Sequence, residues 1–140
     1  LPYRLAVLAE AVSRSMAAVY HHRFDLSRDE WRLLAALGEG APLQAAQAAQ
    51  VTTLDKMQAS RALRSLEARG LVERQTDETD RRHVIVQLRP AGRALLRQVQ
   101  PMVMAREAYL LEALDEDERA LLDRALAKLL QRAKTLENVG

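Results

Sequence analysis

"DKMQASRALRSLEARGLVERQTDETDRRHVIVQL", residues 55–88, decides how the rest of the chain is read. Asp55 with Gln58 three residues on is a pair of capping-box type that opens a helix, and Gly70 supplies the left-handed stop. The helix between them spans about four turns. At about 100° per residue, Ala59, Ala62, Leu63 and Leu66 share one face, while Met57, Gln58, Arg61, Arg64 and Ser65 lie on the other. Residues 71–75 and 83–88 are β-prone, the second run alternating Val84, Val86 and Leu88 with His83, Ile85 and Gln87. With the polar residues 76–82 between them, they predict a hairpin with a long tip.

Working outward, the apolar positions Leu5, Leu8, Val12 and Val19, widened by Ala9, Met16 and Tyr20, predict an amphipathic first helix. "SRDEWRLLAALGEG", residues 27–40, places Ser27 as N-cap with Glu30 as its partner and Gly38 and Gly40 as the stop. "APLQAAQAAQ", residues 41–50, is a short third helix by propensity, with Gln44 where a better cap would stand. Beyond the hairpin, Pro90 starts a fifth helix carrying Leu95, Leu96, Val99, Val103, Leu110 and Leu114. Asp115 and Glu118 then cap a sixth, marked by Leu121, Leu122, Leu126, Leu129, Leu130 and Leu136. The fold class is mainly α with a small β-hairpin wing. Residues 27–89 form a winged helix-turn-helix, and residues 1–26 and 90–140 form a helical region expected to mediate dimerisation, because these helices carry more leucine than a winged module can cover.

Composition excludes more than it assigns. The 140 residues contain no cysteine, which removes disulfides, thiolate metal sites and thiol redox sensing. No apolar run approaches the roughly 20 residues a membrane span needs, and the amino end lacks a basic segment followed by an apolar one. The expected setting is the cytoplasm, away from any membrane. The chain starts at Leu1 rather than Met, so a few residues are expected to have been trimmed or to be missing there. Net charge is +2, and residues 42–89 hold eight basic against six acidic side chains while the flanking segments balance. So small an excess decides nothing without its arrangement.

The arrangement fits DNA. A capped helix amino end presents unpaired N–H groups with Lys56 beside them. Gln58, Ser60 and Arg61 can reach base edges in a major groove, and Met57, exposed where a polar residue is expected, can press on a thymine methyl. Arg64 continues the basic face.

The stretch "DKMQASRALRSLEARGLVERQTDETDRRHVIVQLRPAGRALL", with its "SR…LE.RGLVER…D..DRR" spacing, resembles the signature of the MarR family of bacterial transcription regulators. The resemblance covers about 40 residues, and the flanking helices agree in number and order. It implies a homodimer whose first, fifth and sixth helices form the body, binding double-stranded DNA at a pseudo-palindromic operator. The implied function is a ligand-responsive repressor, not an enzyme. Residue by residue, it implies Lys56, Gln58, Ser60 and Arg61 as major-groove readers. It also implies Arg82 as the wing arginine that enters the minor groove, Asp80 as the acid two positions before it, and Arg81 as a phosphate or minor-groove contact. Asp77 and Glu78 are expected to be plain solvated acids. Thr53 stands where the family often has glycine, and Arg89 where it commonly has a capping threonine.

Other candidates carry less. His21 and His22 are adjacent, so they point about 100° apart on a helix, and no second cluster of ligands accompanies them. No metal or cofactor is expected. His83 has no nucleophile or acid partner recognisable in the sequence, and no nucleophile elbow or phosphate loop occurs. Tyr20, Phe24 and Trp31 are candidates for lining a pocket for a small aromatic or carboxylate effector, against the plainer alternative that they are core. A winged-helix module that binds protein or RNA is the alternative function.

Overall fold

Helices α2 (Arg28–Leu37), α4 (Lys56–Ala68) and α6 (Glu116–Glu137) all open on the same reciprocal chemistry in the computed structural model, which describes residues 1–139. Ser27 Oγ accepts the Glu30 N–H at 3.1 Å while Glu30 Oε1 accepts the Ser27 N–H at 3.0 Å. Asp55 with Gln58 and Asp115 with Glu118 repeat the exchange at 2.8 and 3.1 Å. Each pair satisfies two of the donors a helix start leaves open. At the other end of α4, Gly70 adopts φ +74, which lets Leu71 N–H bond Leu66 O and Gly70 N–H bond Glu67 O. These two bonds close a Schellman motif.

Helix α1 (Pro2–Phe24) ends at Asp25, φ +52, and delivers the fully buried Leu26 into the core. Helix α3 (Ala45–Val51) starts where Gln47 Oε1 accepts the Gln44 N–H at 3.1 Å, and α5 (Pro90–Leu111) starts on its proline.

Strands β2 (Val72–Thr76) and β3 (Val84–Leu88) pair antiparallel, Val72 opposite Leu88 and Thr76 opposite Val84, within one residue of the expected limits. The expected two-stranded hairpin gains a third member. Residues Leu43–Gln44, read from the sequence as the approach to the third helix, form strand β1 on the other side of β3. Leu43 pairs with Val86 and Gln44 with Ile85. A two-residue strand has no periodicity to betray it, and only the long-range partner defines it.

The chain divides into two compact units, Leu1–Met104 and the residues from Ala105 onward. In the first, Leu33, Leu34, Leu66, Val86 and Val99 are fully buried among the side chains of α2, α4, the sheet and α5. Each such aliphatic side chain contributes about 1.5–3 kcal/mol relative to exposure. Gly92 sits against the Leu71 carbonyl so closely that a Cβ there would overlap its oxygen. In the second unit, Arg119 Nε donates to Leu111 O at 2.9 Å, and the leucines of α6 are exposed throughout. Among the described residues no helix is long and apolar enough to cross a membrane.

Candidate nucleic-acid interface

Helix α4 presents its capped end outward because its inner face is spent on the core. Ala59, Ala62, Leu63 and Leu66 are buried there, leaving Lys56, Met57, Arg61 and Arg64 exposed and Gln58 and Ser60 half-buried. Met57 is 71% exposed, a large apolar surface to leave in water at a helix start. Arg64 Nε lies 3.4 Å from Ser60 O, along its own helix. Gln58 already lends its carbonyl oxygen to the Asp55 cap, so its amide hydrogens are the part left to donate. Ser65 turns away from this face, its hydroxyl donating to Glu30 Oε2 at 3.0 Å.

The wing tip is structured by its acids. Arg82 donates Nε to Asp80 Oδ1 and Nη2 to Asp80 Oδ2, both at 3.0 Å, and its backbone N–H bonds the same carboxylate at 3.1 Å. The Arg82 guanidinium, then its backbone N–H, holds the Asp80 carboxyl below the usual carboxylate range. His83 Nε2 stands 3.3 Å from Asp80 Oδ2. Asp77 is not the idle solvated acid expected. Its carboxylate accepts the Thr79 hydroxyl at 2.8 Å and the Thr79 N–H at 3.0 Å, which lowers its pKa, and its own N–H bonds His83 O. Glu78 and Arg81 are exposed at the tip.

Behind these surfaces lie residues whose roles the sequence did not reveal. Glu30 is only 8% exposed, and besides its cap it receives Ser65 and, at 3.4 Å, Arg69 Nη1. Arg69 also donates to Asp25 O at 2.9 Å and Phe24 O at 3.1 Å, closing the end of α1. Arg74 grips Glu67 through Nε and Nη2, at 3.2 and 2.9 Å, and so ties β2 to α4. Gln87 bonds Glu73 across the strands. The capping box signalled Glu30, but nothing local announced that Arg69 would meet it.

Tyr20 and Trp31 stack with centroids 5.7 Å apart and planes 16° from parallel, while Phe24, half-buried against the same core, lies beneath the Arg23 guanidinium. Tyr20 is 2% exposed, and burial raises its phenol pKa against the opposing charges of Arg32 and Arg28. A cavity of about 490 Å³ opens between α1 and α2, where Arg14, Arg28 and Arg32 line it with Glu10 and Ser13. A second, of about 610 Å³, runs from Trp31 and Arg32 past Leu43 to Val51 and Thr53. Tyr20 and Phe24 line neither. His21 and His22 meet edge to face, centroids 5.4 Å apart, in the last turn of α1. Among the described residues no three His, Asp or Glu side chains gather as a metal site would require.

A family model described as "MarR family" matches residues 24–83, from the end of α1 to the wing. Among solved structures, the chain is similar to a MarR-family transcriptional regulator from Silicibacter pomeroyi. The two share 27% identity at a TM-score of 0.82, over 94% of this chain and 88% of that one. It is similar in fold to the MepR–DNA complex of S. aureus (22%, TM-score 0.83, 94% and 97% covered). A third similar fold is NadR in complex with 4-hydroxyphenylacetate (24%, TM-score 0.79, 91% and 89% covered).

Proposed function

We propose that this chain, a member of the MarR family, is a ligand-responsive repressor that binds a pseudo-palindromic operator as a homodimer in the cytoplasm. One observation carries the reading. Lys56, Met57 and Arg61 stand exposed at the capped end of α4, in the same unit as a wing whose Arg82 is already held by Asp80. MepR, of the same fold, is known as a DNA complex. The α4 amino end, with Lys56, Gln58, Ser60, Arg61 and Arg64, then enters the major groove, and Arg81 and Arg82 take the phosphates and minor groove.

Self-association is supported by apolar surface with no cover in the single chain. Leu5, Val7 and Leu8 of α1 are exposed, as are Leu126, Leu129 and Leu130 of α6. In a two-fold dimer the recognition helices would sit about 34 Å apart, one turn of DNA. The three arginines of the α1–α2 cavity favour an anionic effector, and NadR holds an aromatic carboxylate. Repression is relieved if that ligand binds the DNA-incompetent form more tightly, and DNA then weakens ligand binding by the same factor.

Selection of duplexes from a random pool tests this reading. Enriched two-fold-symmetric sites, bound well above scrambled duplex in anisotropy titrations, are expected. Equal affinity for both, lost together as salt rises, would leave only non-specific electrostatics.

A further inference from the structure

The short segment Asp25–Ser27 joins α1 to α2, and each helix secures its own side of the joint. Asp25 N–H bonds His21 O and Leu26 N–H bonds Tyr20 O at the end of α1, while Ser27 and Glu30 exchange cap bonds at the start of α2. These bonds leave α4 out. Arg69 brings it in. Arg69 is the C-cap residue of α4, its own N–H bonded to Ser65 O at 3.1 Å, and its guanidinium takes hold on both sides of the joint. Nη2 donates to Phe24 O, and Nη1 is shared between Asp25 O and Glu30 Oε2.

The last carbonyls of a helix lack partners and carry partial negative charge, so a guanidinium there is favoured by hydrogen bonding and by the dipole together. Its rigid fork also fixes a direction, which the single point of an ammonium does not. Glu30 keeps the fork aimed. Its side chain is 11% exposed and is steadied by the Ser65 hydroxyl at 3.0 Å.

The anchor is placed where it has leverage. Buried Leu63 and Leu66 lie in the same half of α4 as Arg69, whereas the half that carries Lys56 and Met57 buries the small side chains of Ala59 and Ala62. The 13 residues of α4 span about 20 Å. A tilt of about 10° at the Arg69 end would carry Lys56 about 3.5 Å, the size of one base-pair step.

We propose that Arg69 is a positioning residue that sets the pitch of α4 against α1, and through it the half-site spacing that the two recognition helices of a dimer accept. Arg69 stands at the end of α4 opposite Lys56, so it governs placement and not base contacts. The spacing consequence rests on the dimeric DNA-binding reading, whereas the pitch rests on the geometry alone.

A panel of duplexes with the selected half-sites at their selected spacing, and at one base pair more or less, tests it. The unmodified chain should prefer the selected spacing by at least about tenfold, because each added pair shifts and rotates one half-site relative to the other. Arg69→Ala should reduce that ratio to less than about threefold with base preference inside each half-site retained. Arg69→Lys, which keeps the charge but not the fork, should fall between, and it decides by the same ratio if Arg69→Ala fails to fold. Affinity lost equally at every spacing, or an unmodified chain that binds duplex without regard to spacing, overturns the proposal. If the unmodified chain binds no duplex, the regulator reading has failed, and spin-label distances decide the pitch separately. The chain has no cysteine, so Glu10→Cys and Met57→Cys give two unique label sites, measured after dilution with unlabelled chain. A shifted or broadened distance in Arg69→Ala or Arg69→Lys supports the pitch role, and an unchanged distribution refutes it.

Discussion

The Asp80 carboxylate holds the Arg82 guanidinium at two points, 3.0 Å each, and the Arg82 backbone N–H at a third. An arginine so held approaches a groove with little left to order, whereas a free one loses rotamer entropy on binding. On the proposed DNA-binding reading, Asp80→Ala should therefore weaken operator binding although it removes a negative charge from the wing. Anisotropy at several salt concentrations measures this, and tighter binding by the variant would refute the preorganisation.

Helix and wing should fail differently. Arg61→Ala is expected to relax base preference in a selection experiment, while Arg82→Ala should cost roughly 1–3 kcal/mol of affinity with major-groove preference nearly intact. A selected motif unchanged in both variants would place the readers elsewhere.

Glu30 receives the Ser27 N–H, the Ser65 hydroxyl and Arg69 while nearly buried, so its removal strands three donors, one at the start of α2 and two at the end of α4. Glu30→Ala should destabilise the fold by about 2 kcal/mol, and Glu30→Gln, which keeps the acceptor oxygen, by about half as much. Urea unfolding would show it. Indistinguishable midpoints for Glu30→Ala and the unmodified chain would mean the network contributes nothing.

Gly92 lies against backbone, where no side-chain rotation can make room. Gly92→Ala should cost about 2 kcal/mol despite alanine's better helix propensity. A raised melting temperature in this variant would show that Leu71 and the start of α5 can separate freely.

Acid should loosen the wing and its tie to α4. Glu67, Asp77 and Asp80 are all held below the usual carboxylate range, by the side chains of Arg74, Thr79 and Arg82 respectively. A carboxyl depressed in the folded state stabilises it above the unfolded pKa, and the contribution is lost as pH falls through the folded one. The melting temperature should stay level from about pH 7 to 5 and decline below about pH 4. Glu67→Gln should flatten part of that decline, and calorimetry across the range would detect an unaltered slope.

Local chemistry made the helix starts legible, because a capping box needs only residues three apart and Ser27, Asp55 and Asp115 each have their partner in the next turn. The hairpin was legible for the same reason, through the alternation around Val84, Val86 and Leu88. So was the basic outer face of α4, since its apolar residues leave only one side to bury. Tertiary structure alone decided the rest. Strand β1 exists because Val86 and Ile85 lie alongside Leu43 and Gln44, some forty positions away in the chain. Arg69 reads locally as a surface arginine near a helix end, and only the packing of α4 on α2 brings Glu30 and the α1 carbonyls within its reach. Thr53 is marked in the sequence only as standing where the family often has glycine, and its left-handed backbone and its bond from Arg32 are seen only in the fold. Bonds between near neighbours follow from the order of residues, whereas a guanidinium's partner depends on which distant carbonyl or hydroxyl the fold sets beside it.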